Sequence, residues 1–177
     1  IRSRCIPISF GALSETILRE ALAARNIPAA EAEAVAALAD GSLGRAIRLA
    51  EGGGLAKRDA ALSFLEELPV LAMERIFPLA EAMGKGERDA LSAWFSYVMM
   101  ALRDMLVLYE DGGSPLLYNK DVRERLAALL SIYSKASLFD LLALACEAQK
   151  RLQANVSLRL LMEGFLIRAR DRCGASI

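Results

Sequence analysis

Near the front of the chain, Ser3, Arg4 and Cys5 stand in a basic stretch, IRSRCIPISF, with no carboxylate before Glu15. An arginine with no acid beside it keeps its planar guanidinium for an outside anion such as a phosphate, which it can hold bidentately. A second arrangement suited to anions follows in GSLGRAIRLAE, where Ser42 is placed to cap a helix whose first turn carries Gly44 and Arg45 but no acid. The earlier helices carry Glu near their starts, as the helix dipole favours. Open N–H groups with a glycine and an arginine beside them make an anion seat. The competing reading is that Gly44 serves close packing and Arg45 is solvated.

Other chemistries are restricted by composition. The 177-residue chain contains no histidine, so no Ser-His or Cys-His couple can form within it. Its three cysteines, Cys5, Cys146 and Cys173, are too few and too widely spaced for a disulfide framework or a CxxC metal site. No metal and no cofactor is expected in this part of the protein, and a reducing cytoplasmic setting is. Twenty-two basic residues balance 22 acidic ones, which argues against a surface that grips nucleic acid everywhere and leaves room for a local basic patch. The apolar run LSAWFSYVMMAL is followed at once by Arg103 and Asp104 and is too short to span a membrane.

The elements that must position these residues read as helix after helix, an all-α chain. Ile6, Ile8 and Phe10 alternate with Pro7 and Ser9 as a short strand does, with Pro7 confining it to an edge. A lone strand needs partners, so this segment reads as the remnant of a sheet lying outside the chain. A first helix is expected from Ser14 to about Arg25, broken by Pro28; a second, rich in alanine, stops at Gly41; a third runs from Ser42 to Ala50. The glycines of EGGGLAK then mark a hinge. Beyond it, longer helices are expected over Leu55–Leu68 and Val70–Met83. Next comes a stripe formed by Leu91, Trp94, Phe95, Val98, Leu102, Met105, Leu106 and Tyr109. After the loop EDGGSPLLYNK, three more are expected near Asp121–Leu130, Lys135–Gln153 and Ser157–Arg172.

SRC opening an extended segment, GSLGRA some 36 residues later, and the tail LQANVSLRLLMEGFLIRAR together resemble the clamp-loader branch of the AAA+ ATPases, nearest its bacterial delta-prime subunits. The resemblance covers the whole chain. It implies that residues 1–10 are the end of a missing ATPase core, 11–52 a three-helix lid, and 56–177 a helical collar that assembles subunits. The P-loop, the Mg²⁺-binding acids and the cysteine zinc module of that family would lie before Ile1. By the same resemblance Arg4 is an arginine finger that reaches a neighbour's nucleotide in trans, with Ser3 and Cys5 setting its backbone and packing. Gly41, Ser42, Gly44 and Arg45 form the lid motif. The sensor arginine of the active ATPases falls here on Gly44, and Arg45 lies one residue on, about 100° around the helix.

The implied work is therefore non-catalytic: assembly with gamma/tau and delta subunits to load a sliding clamp on primed DNA during replication, with no membrane involved. Two other readings stay open at this stage. One is the corresponding region of an active ATPase such as gamma/tau, against which Gly44 argues. The other is an unrelated helical interaction module.

Overall fold

A computed structural model describes residues 11–154 and 156–173. The expected strand at Ile6, Ile8 and Phe10, the Ser3-Arg4-Cys5 motif and Asn155 of the tail all lie outside the described residues. Among the described residues the protein is entirely helical, with nine α-helices and no strand. The chain divides into two units, residues 1–54 and 55–177.

The first unit holds α1 (Glu15–Ala23), α2 (Ala29–Leu38) and α3 (Leu43–Glu51), which pack pairwise on one another. Ser14 starts α1 by accepting the Ile17 N–H at 3.3 Å, with Glu15 favourably placed against the dipole. This helix stops two residues short of the expected Arg25, because Asn26 adopts the left-handed conformation, φ 61°. Pro28, with its fixed φ, then precedes α2. Every residue from Ala34 to Ala39 is buried, so α2 shows no exposed face there.

In the second unit, α4 (Gly54–Glu67) starts at the last glycine of the hinge. A single 3₁₀ turn, Leu68–Val70, separates it from α5 (Met73–Gly84). The expected helix over Val70–Met83 therefore begins later, with Pro69 inside the 3₁₀ turn and Leu71 extended. α6 (Arg88–Glu110) is the long helix of the apolar stripe. It is long and apolar enough to cross a membrane, but half of its most apolar window is buried inside the protein, as in a core helix. A 3₁₀ turn, Lys120–Val122, takes the place of the first turn expected at Asp121, and α7 spans Arg123–Leu129. α8 (Lys135–Leu152) and α9 (Leu158–Cys173) complete the unit; α6 packs on α8, α5 on α9, and α8 on α9.

Packing in this unit centres on four rings from three helices. Phe95 of α6 meets Phe165 of α9 edge to face at 4.9 Å, and Trp94 meets Phe64 of α4 in the same way at 4.9 Å. Such edge-to-face pairs place the positive rim of one ring on the negative face of the other. Leu91, Val98, Leu102 and Met105 are buried beneath the same stripe. Tyr109 is not: it is 46% exposed near the end of α6, while Leu108 beside it is buried. Gly84 lets α5 approach α9 closely, since a Cβ there would stand 2.8 Å from the Arg159 backbone.

Candidate functional site

The start of α3 can be built residue by residue. Ala39 caps α2, and Asp40 and Gly41 both take positive φ, 49° and 77°. At Gly41 a side chain would be strained and would also collide with Ala12, whose Cβ lies 2.4 Å from the position a Gly41 Cβ would take. The Gly41 carbonyl accepts the Leu13 N–H at 2.9 Å, tying the turn to the segment before α1. Gly41 is thus required twice, by dihedral and by space.

Ser42 is extended and its hydroxyl accepts the Arg45 N–H at 3.3 Å, satisfying one of the donors that open the helix. α3 carries no acid in its first turn. Gly44 is exposed, and a Cβ there would meet, among the described residues, only the Arg48 guanidinium at 3.7 Å. Close packing is therefore not what Gly44 provides. Arg45 is half-buried and Arg48 exposed. Arg45 and Gly44 stand in the first turn of this capped helix and the guanidinium of Arg48, from its last turn, reaches back beside Gly44, while Ser3, Arg4 and Cys5 lie outside the described residues.

Two polar clusters in the second unit were not anticipated from sequence. Asp104, fully buried in α6, accepts four hydrogen bonds. Its Oδ1 takes Arg103 Nη1 at 2.9 Å and the Tyr118 N–H at 3.2 Å, and its Oδ2 takes the N–H and Nδ2 of Asn119, both at 2.8 Å. Arg103 also donates to the Leu116 carbonyl, and its guanidinium lies 4.7 Å from the Tyr118 ring centroid. One carboxylate therefore anchors the end of the loop after α6, at Tyr118 and Asn119. The other cluster joins α4 to the turn before α7: Arg58, 4% exposed, donates from Nη1 to both Asp121 oxygens at 2.8 Å and from Nη2 to Asp59 at 2.9 Å. Arg125 reinforces the same seam by pairing with Glu66, whose carboxyl it holds below the usual carboxylate range.

These clusters are structural in character: each buried charge already meets a partner of opposite sign, and the one buried side-chain acceptor left without a partner among the described residues is Asn119 Oδ1. Asp104 did leave a trace in the sequence, because it falls in step with buried Tyr97, Ala101 and Leu108 at spacings of four, three and four. Arg58 left none. Burial pushes the Cys173 thiol up to about 11, which keeps it protonated and unreactive at neutral pH. Burial also raises Tyr133, whose hydroxyl donates to the Leu65 carbonyl. Among the described residues no group of three His, Cys, Asp or Glu side chains could hold a metal ion. No family model matches the chain, and no curated protein matches it.

Proposed function

We propose that this chain is the lid and collar of a delta-prime-type clamp-loader subunit, a non-catalytic component that assembles with gamma/tau and delta subunits to load a sliding clamp on primed DNA. The observation that carries the reading is the order of parts. A three-helix unit, whose last helix opens on Gly41-Ser42-Leu43-Gly44-Arg45, precedes a larger unit of six helices. A glycine in the sensor position, exposed and without a packing role, suits a subunit that assists hydrolysis without performing it.

In this reading Arg4 supplies the chemistry. A guanidinium offered across a subunit boundary neutralises charge gathering on the transferring phosphoryl oxygens, and such a finger accelerates hydrolysis about a thousandfold or more at the site where it acts. Arg4→Ala in the assembled loader lowers DNA-stimulated ATP hydrolysis; unchanged turnover removes Arg4 from the mechanism. The assembly role is tested by using the chain as bait for purified gamma/tau and delta subunits. Retention of both is expected. Retention of neither refutes the collar assignment.

A further inference from the structure

The second unit leaves a groove open on its surface between α8 and α9, independent of the reading above. It encloses a cavity of ≈ 110 Å³, floored by Leu144 and Ala148 of α8 and by Leu161, Gly164 and Phe165 of α9. Leu160 stands at its edge with 67% of its surface exposed.

Gly164 is the informative residue. A glycine inside a helix costs about 1 kcal/mol relative to alanine, so its presence asks for a reason. Left-handed backbone is not that reason, since positive φ occurs at Gly41 and Gly53 among the described glycines and not here. Internal packing is not the reason either. A Cβ on Gly164 would meet no described atom within 4 Å, whereas one on Gly84 would strike Arg159. What a bare Cα does provide is an approach surface for another backbone.

The rim says what kind of backbone. Glu147 accepts both Arg151, at 2.6 Å, and Arg168, at 3.1 Å, so two cations share one carboxylate and the groove keeps a surplus of positive charge. We propose that the α8–α9 groove seats an acidic, leucine-bearing helix of a partner protein. One apolar side chain enters beside Gly164 and Leu161, and a carboxylate pairs with the arginine that Glu147 leaves under-neutralised. A helix fits because the furrow between two packed helices accepts the side-chain ridge of a third. The charge selects an acidic partner over a basic one, as like charges across an interface repel.

The probe is a synthetic amphipathic helix of leucine and glutamate, compared with the same helix carrying lysine for glutamate. Binding to the full chain is read by fluorescence anisotropy. The acidic helix is expected to bind about tenfold more tightly than the basic one. Gly164→Leu, which fills the groove from an open position, is expected to abolish that binding while helicity and Trp94 emission stay unchanged. The double variant Arg151→Glu, Arg168→Glu reverses the preference, and it tests the proposal even if Gly164→Leu disturbs folding. Equal binding of the two helices, binding of neither, or binding indifferent to Gly164→Leu overturns it. So does a concentration-dependent dimer of the chain that Gly164→Leu dissolves, because the occupant would then be a second copy.

Discussion

The two units of this protein are held together by different means. From residue 11 to residue 54 there is no aromatic side chain, and the buried set is Leu18, Leu22, Val35, Leu38, Leu49 and a series of alanines. Its polar contacts among the described residues include two serine caps and an exposed ion pair, Arg25–Glu51 at 3.0 Å. The second unit is built on large rings and on buried charge: Phe95, Phe165, Tyr133, Asp104 and Arg58. Small side chains let helices come close but remove little area from water, so stability there is spread over many modest contacts. Where a few large or charged groups are buried, removal of one is costly.

This contrast can be broken experimentally, most forcefully in the ring cluster. Phe95→Ala removes a fully buried ring that touches both Trp94 and Phe165, and a loss of about 3–5 kcal/mol is expected. Denaturant unfolding followed through Trp94, the single tryptophan, reads it directly; a loss below about 1 kcal/mol would mean that the core closes over the gap. Asp104→Ala comes next at about 3 kcal/mol, since it strands the amides of Tyr118 and Asn119 and leaves Arg103 without its carboxylate. Its signature is local as well as global: amide exchange at Tyr118 and Asn119 should accelerate more than exchange elsewhere in the unit.

The first unit should respond more gently. Ser42→Ala removes the cap of α3 and should cost about 1 kcal/mol, seen as faster exchange of the Arg45 amide with α1 little affected. Exchange at Arg45 equal to the native rate would show that the cap hydrogen bond contributes nothing. The smallest effect is expected at the Glu66–Arg125 seam, where both side chains are about one-third exposed. Because Arg125 depresses the folded-state pKa of Glu66, its contribution is present above the ordinary carboxylate pKa and fades as pH falls through the lowered value. The stability difference between the native protein and Glu66→Gln should accordingly be measurable at neutral pH and shrink in acid. A difference that grows in acid contradicts the pairing.

Much of this organisation could be read from residue order. The helices expected over Leu55–Leu68 and Lys135–Gln153 form within one residue of those bounds, and the caps at Ser14 and Ser42 follow from hydroxyls standing just before apolar runs, whereas the cap at Ser134 was not anticipated. Pro69 hid a boundary. It is tolerated near the start of a helix, so Val70 looked like an acceptable beginning until Leu71 proved extended. Tyr109 falls on the expected apolar stripe, but at this end of α6 the buried position is its neighbour Leu108, and periodicity alone does not tell which of the two apolar residues faces the core. At the start of α3, the residue order identified the serine cap and the glycines. It could not tell that Gly41 faces Ala12 while Gly44 faces only a guanidinium.

Local order therefore determined the helical class, the caps and the turn glycines, because each depends on residues within about one turn of one another. Tertiary structure alone decided which charges are buried, that one aspartate anchors a loop 14 or 15 residues away, and that Gly84 is enclosed while Gly164 is open. The physical reason is that burial and desolvation belong to pairs of segments brought together in space, and a carboxylate's neighbours along the chain do not specify the amides that will reach it.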